Sequence, residues 1–149
     1  MSALPDDGRH WAPVLDCGPF ADLVGPIFAT SDDLGEGEGV RFGFRVAPRH
    51  CNPRPVCHGG MLATFLDISL ARGIRMVADI PAPLPTISMS LDYLAPAPLG
   101  EWIEARVVVT RAGAGTCFVQ ATLHGASGPV LRGSGVYKRM RRSDGAHAV

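Results

Sequence analysis

The feature that most constrains this sequence is a long apolar run that follows His58 and extends to about Asp79. The run is typical of one helix, and its large apolar side chains fall on all sides of that helix instead of along a single stripe. A helix that is apolar all round has to be covered on most of its circumference. We therefore expect this helix at the centre of the molecule. The residues concerned are Met61, Leu62, Phe65, Leu66, Ile68, Leu70, Ile74, Met76 and Val77.

The segments around the helix alternate apolar and polar residues, which is typical of β-strands. One strand is predicted before the helix, over 39–47, and a meander of four strands after it, over 86–94, 102–110, 116–124 and 130–137. In the first strand of the meander the alternation predicts two faces. One carries Ile87, Met89, Leu91 and Tyr93, and the other carries Thr86, Ser88, Ser90 and Asp92. Together the pattern predicts an α+β fold in which a curved antiparallel sheet wraps around one long helix.

The length of 149 residues, of which 46% are hydrophobic, suits one domain with one core. We expect a domain over residues 17–140, preceded by an N-terminal arm over 1–16 whose flexibility is left open, and followed by a flexible tail over 141–149. Fourteen Lys and Arg balance fourteen Asp and Glu, so no net charge attracts a nucleic acid or an anionic membrane. The sequence therefore predicts neither partner.

Several features favour a cytoplasmic location. No stretch approaches the roughly 20 apolar residues needed to cross a bilayer, and the first residues lack the apolar run of a signal peptide. The four cysteines form no CxxC pair and no dense framework, which is typical of free thiols in a reducing compartment.

Asp67 interrupts the helix that should be most buried. A buried carboxylate needs partners, and in a low-dielectric cleft it can act as a general base or a nucleophile. The alternative is a structural carboxylate that a nearby hydroxyl caps or that emerges at the helix surface.

The helix begins with His58-Gly59-Gly60, where backbone N–H groups are unpaired and the helix dipole is positive. Such an end can polarise a carbonyl oxygen, although the glycines could also serve only a tight turn. Asn52 could add an N–H or cap the loop. Gly59 and Asp67 are eight residues apart, or roughly 12 Å along the helix, so one carbonyl group does not reach both. The catalytic interpretation therefore predicts a homodimer with active sites at its interface.

The ordered set Asn52, His58-Gly59-Gly60 and Asp67 resembles the hotdog-fold acyl-CoA thioesterases of the phenylacetic-acid-degradation type. The resemblance covers about residues 40–140. It implies the hotdog fold, dimers that often pair into tetramers, and hydrolysis of a CoA thioester without a metal or another cofactor. It continues through Tyr93-Leu94-Ala95-Pro96, Leu99-Gly100-Glu101, Ala105 and Arg132-Gly133-Ser134-Gly135.

The resemblance also implies roles for individual residues. Gly59 donates its N–H to the thioester carbonyl with help from Asn52, and Asp67 of the other subunit activates water or attacks directly. Thr86 falls where the family often has a hydroxyl that positions this water. The remaining candidates are His58 in the catalytic set, Gly60 and Thr64 as substrate contacts, and Arg132, Lys138 and Arg139 as contacts for CoA phosphates.

Three alternatives stay open. Hotdog dehydratases pair a loop histidine with a helix glutamate fourteen residues later; His50 and Arg54-Pro55 resemble that pattern, but position 64 is a threonine. Pro55, where the thioesterases usually have glycine, stiffens the loop and supports a non-catalytic acyl-CoA-binding protein. A metal site would need ligands from His50, Cys51, Cys57 and His58, but their spacing matches no common zinc pattern, so no metal is predicted. The acyl group, whether aryl, phenylacetyl or fatty, and the choice of CoA or acyl carrier protein stay open.

Overall fold

A computed structural model describes residues 4–80 and 83–140. These residues form two α-helices, a short 3-10 turn at Pro48–His50 and seven strands. The helices are α1 (Pro19–Val24) and α2 (Gly59–Ala78). The strands are β1 (Ala12–Pro13), β2 (Phe28–Thr30), β3 (Val40–Arg45), β4 (Thr86–Tyr93), β5 (Trp102–Ala112), β6 (Thr116–Gly125) and β7 (Gly128–Lys138).

The strands form one antiparallel sheet in the order β1-β2-β3-β5-β6-β7-β4. The long helix α2 packs against one face of this sheet and touches every strand from β3 to β7. The predicted α+β fold, a curved antiparallel sheet around one long helix, is confirmed. The predicted meander is wrong for its first strand, because β4 pairs with β7 at the far edge of the sheet. The strands β1 and β2 were not predicted, since two or three residues are too few to show an alternation.

The helix α2 buries one broad stripe of side chains against the sheet. Phe65, Leu66, Leu70 and Ile74 are completely buried. The expectation that other residues cover α2 on most of its circumference is wrong at the C-terminal end of the helix, where Met76 and Val77 are exposed. Glycines of the sheet allow this close approach: a Cβ atom on Gly133 would lie 2.6 Å from Leu66 Cδ2.

A β-bulge changes which residues of β4 face the helix. Thr86 pairs with Tyr137 and Ser88 with Val136, so Ile87 is an extra residue in the strand. Ile87 is 56% exposed, whereas Thr86 turns towards α2. The strict alternation predicted for this strand is therefore wrong at its first two residues.

The N-terminal arm lies partly on the face of the sheet opposite α2 and partly against α2. Trp11 is buried on that outer face, with its ring 5.0 Å from that of Trp102 in a T-shaped arrangement. Arg9 forms an ion pair with buried Glu104, which also pairs with Arg41 and Arg106. The Leu4 carbonyl accepts from Arg45 Nη2 at 3.0 Å, and the Leu15 carbonyl accepts from Arg72 Nη2 of α2 at 2.6 Å. These contacts hold the described part of the arm on the domain. The tail over 141–149 lies outside the described residues.

Within the two described ranges, neither helix is both long and apolar enough to span a membrane.

Candidate active site

The loop before α2 is a small hairpin that docks on the turn after β4. Cys51 and Cys57 form an antiparallel bridge, and Asn52 N–H donates to Val56 O at 2.9 Å. The Pro55 carbonyl accepts from Leu99 N–H at 2.9 Å. Pro55 needs no partner for a backbone N–H, because it has none. These bonds hold the loop in one conformation and so fix the position at which α2 begins.

His58 caps the start of α2. Its Nδ1 accepts the Gly60 N–H at 2.8 Å, and its carbonyl oxygen accepts from Met61 and Leu62. Its own N–H donates to His50 O at 2.7 Å. No described residue accepts the Gly59 N–H, so this donor stays available at the positive end of the helix dipole. Gly60, predicted as a substrate contact, has its N–H bound by His58.

Tyr93, at the end of β4, covers the other side of Gly59. Its hydroxyl donates to the Gly59 carbonyl at 2.9 Å. A Cβ atom on Gly59 would lie 3.1 Å from the Tyr93 ring, so a glycine keeps the space around this peptide open. The sequence predicted the strand face on which Tyr93 lies and did not predict this contact.

Asp67 lies half-buried on the same helix, and one of its carboxylate oxygens is firmly held. Oδ1 accepts from Thr86 Oγ1 at 2.9 Å and from the Tyr137 hydroxyl at 2.8 Å. No described group donates to Oδ2. Asp67 and Thr86 line a cavity of about 220 Å³ together with Arg72 and Arg75. This arrangement leaves one oxygen of an oriented carboxylate free to take a proton.

The other residues predicted for the site lie in different parts of the molecule and do not form one cluster. Asn52 is exposed in the hairpin, and Thr64 and Gly60 line a different cavity of about 450 Å³ with Met61. Arg132 lies on the outer face of the sheet, where it pairs with Asp92 at 2.9 Å. Lys138 is exposed at the end of β7, and Arg139 Nη1 donates to Gly113 O at 3.4 Å.

His50 is committed to the backbone of the protein. It is buried, its Nδ1 accepts from Ala47 N–H at 3.0 Å, and its Nε2 donates to Val24 O at 2.8 Å. Burial, together with the charge of Arg49, lowers the pKa of His50. Both ring nitrogens are therefore occupied by structural hydrogen bonds.

The neighbouring thiols are structural as well. Cys57 is buried, and burial with nearby Cys51 raises the pKa of the Cys57 thiol to about 12. Across the described residues, no three or more His, Cys, Asp or Glu side chains are grouped so that they could hold a metal ion.

The sequence of this chain matches the model of a known protein family. The family model described as the thioesterase superfamily matches residues 55–131, which include Gly59 and Asp67. The chain belongs to the thioesterase superfamily. A Pseudomonas aeruginosa protein named "putative esterase" is 30% identical to it over 125 residues, which are 84% of this chain and 91% of that protein.

Two further proteins are similar to this chain, one in sequence over a shorter stretch and one in structure. Mouse acyl-coenzyme A thioesterase 13 is 29% identical over 79 residues, which are 53% of this chain and 56% of the mouse protein. The structure of the Escherichia coli PaaI protein from the phenylacetic acid degradation operon superposes with a TM-score of 0.67 and 21% identity, and the match covers 80% of this chain and 86% of that one. The predicted thioesterase superfamily is therefore confirmed, and the fold is shared with the PaaI protein.

Proposed function

We propose that this thioesterase-superfamily protein is an acyl-CoA thioesterase that hydrolyses a CoA thioester to a free acid and CoA. The observation that carries the proposal is the pair of groups on α2: the unpaired Gly59 N–H at its start and the oriented carboxylate of Asp67 further along. The first can stabilise a carbonyl oxygen that becomes negative, and the second can act as a base or nucleophile. The names of the curated relatives agree with this activity.

The open edge strand β4 supports a homodimer with shared active sites. Its first residue, Thr86, bonds Asp67, and its last residue, Tyr93, bonds Gly59. One edge of β4 pairs with β7, and no described strand pairs with the other edge. If two copies pair along this free edge about a two-fold axis, the strands are antiparallel, and the Thr86 end of one lies beside the Tyr93 end of the other. Asp67 of each subunit then approaches Gly59 of its partner.

The reaction in such a composite site needs only these groups and water. The thioester carbonyl oxygen accepts the Gly59 N–H of one subunit. Asp67 of the other subunit takes a proton from water through Oδ2, and the water oxygen bonds to the carbonyl carbon. The tetrahedral intermediate then collapses, the C–S bond breaks, and the thiolate of CoA receives the proton from Asp67.

Direct attack by Asp67 is the second route. A carboxylate oxygen would displace the CoA thiolate to form a mixed anhydride, which water then hydrolyses. Water can attack either carbonyl of the anhydride: attack on the acyl carbonyl puts its oxygen in the product acid, as a general base also does, and attack on the aspartyl carbonyl puts it in Asp67. In one turnover in ¹⁸O-labelled water with excess enzyme, label in Asp67 would therefore identify direct attack.

The other predicted residues take supporting roles in this proposal. His58 fixes the start of α2 through its cap, and Thr86 holds Asp67 Oδ1 in addition to its implied contact with water. Asn52 adds an amide donor from its exposed loop. Arg132, Lys138 and Arg139 remain the candidate contacts for CoA phosphates, and pairing of two dimers and a cytoplasmic location remain predictions.

His50 should matter for folding and not for chemistry. We expect His50→Ala to lower the free energy of unfolding by about 2–4 kcal/mol, because it leaves a cavity and unpaired backbone groups. The kcat of the folded protein should stay within about threefold, since neither ring nitrogen is free for substrate. A loss of kcat as large as that of Asp67→Asn would favour the dehydratase instead.

The same histidine predicts a pH dependence of stability. Because its pKa is lowered in the folded protein, the unfolded state binds the proton first as the pH falls below about 6.5. The free energy of unfolding should therefore be highest above that pH and fall below it. Urea unfolding between pH 5 and 8 tests this. Replacing His50 by Gln should flatten the slope in part, because burial lowers the pKa of His124 too and its share of the slope remains. His10→Gln, a change at an exposed histidine, is the matched control.

The first experiment is a thiol-release assay with aryl-, phenylacetyl- and alkyl-CoA substrates. Release of CoA with a preferred acyl group supports the proposal and names the substrate class. Tight binding of acyl-CoA without release of thiol, in folded protein, would replace it with the non-catalytic binding role.

A further inference from the structure

Tyr137 is a buried tyrosine of β7 that reaches across to α2. We propose that Tyr137 is a positioning residue for Asp67, which fixes the plane of the carboxylate so that Oδ2 faces the cavity. The inference deepens the proposed function and rests on it. Nothing in the sequence resemblance assigns a role to this residue.

The contact geometry supports this role. The Tyr137 hydroxyl lies 2.8 Å from Asp67 Oδ1 and 3.3 Å from the Asp67 carbonyl oxygen. Since a hydroxyl has one proton, the shorter bond to the carboxylate is the one it makes. Thr86 donates to the same oxygen from β4, so two strands hold Oδ1 and the carboxylate plane is fixed.

Tyr137 is suited to be a permanent donor. It is completely buried, and burial together with the Asp67 carboxylate raises its pKa, so the phenol keeps its proton throughout the physiological range. Gly135 gives the ring its place, because a Cβ atom there would lie 2.6 Å from Tyr137 Cε2. The surface of β7 that faces α2 therefore has room for the phenol ring.

The consequence concerns the orientation of the carboxylate. Without the phenol, Oδ1 keeps Thr86 as its donor, so the carboxylate can rotate about that one bond and Oδ2 loses its fixed direction. Asp16, Arg72 and Arg75 are the charged groups that line the cavity around Asp67, with Cys17 beside them. None of these groups is altered when only the phenol oxygen is removed.

The kinetic test is Tyr137→Phe, which removes one oxygen atom. We expect kcat to fall about 10- to 100-fold with KM within about twofold, because the carboxylate acts in the chemical step and not in binding. An unchanged kcat in Tyr137→Phe, or a rise of KM with kcat unchanged, would overturn the proposal.

A second measurement does not depend on activity. The carboxyl ¹³C signal of Asp67, identified by its loss in Asp67→Asn, should change its chemical shift in Tyr137→Phe, because Oδ1 loses a hydrogen bond there. Tyr93→Phe removes the only other phenol of the sequence and should leave this signal unmoved. If the wild-type protein hydrolyses no thioester but the signal moves in Tyr137→Phe, the proposed function fails and the positioning of the carboxylate stands. An unmoved signal in an active enzyme overturns the positioning alone. Gly135→Ala, which displaces the ring, is a second variant in which the signal should move.

Discussion

Asp67→Asn should lower kcat at least 10³-fold while the protein stays folded. An amide takes no proton from water and makes no acyl intermediate, yet its carbonyl oxygen can still accept from Thr86 and Tyr137. The loss therefore falls on chemistry and not on packing. Thiol release under single-turnover conditions and a urea unfolding curve measure the two effects separately.

Asp79→Asn is the matched control, because it makes the same chemical change at the end of the same helix. Asp79 caps α2 in the left-handed conformation with φ of 51°, which asparagine tolerates. Its activity should equal that of the wild type. Substantial turnover by Asp67→Asn would make Asp67 a structural carboxylate and remove the basis of the proposed mechanism.

Two inactive chains should restore activity when they share a dimer. Gly59→Pro removes the backbone donor yet suits the first position of a helix, and His58 already has the extended conformation that precedes a proline, with φ of −64° and ψ of 138°. Alone, it should lose about 10²–10³ in kcat. Gly59→Ala keeps the N–H and adds a Cβ atom, as proline does, so it is the control for crowding against Tyr93.

In a heterodimer of Gly59→Pro and Asp67→Asn chains, one composite site is intact and the other carries both defects. Purified by two different tags after co-expression, the heterodimer should therefore have about half of the wild-type activity per dimer. The expected gain over either homodimer is at least fiftyfold. Activity no higher than that of the two parents would place the whole site within one chain, in conflict with its separation along α2.

The sequence was most informative where one side chain broke a strong pattern. Asp67 stood out because the helix around it is apolar, and unpaired N–H groups were expected at Gly59 because a helix begins there. The geometry of a regular helix then sufficed to separate the two groups. These predictions needed only local rules of helix structure.

The contacts that orient the site depend on how distant strands meet, and local rules do not give that. Tyr137 comes seventy residues after Asp67, and only the pairing of β4 with β7 brings Thr86 and Tyr137 to the same carboxylate oxygen. His50 was considered as a catalytic group because its loop resembles that of the dehydratases. Its actual partners, the backbone N–H of Ala47 and carbonyl of Val24, leave no signal in the sequence.

The bulge in β4 also affects how relatives should be aligned with this chain. Ile87 is the residue that has no partner of its own in the ladder, so a relative one residue shorter here can keep its hydroxyl opposite Tyr137. In an alignment of this chain with such a relative, the gap belongs opposite Ile87. An ungapped alignment would set an isoleucine against the residue that bonds the carboxylate, and the hydroxyl that Asp67 accepts from would look as if it varied freely.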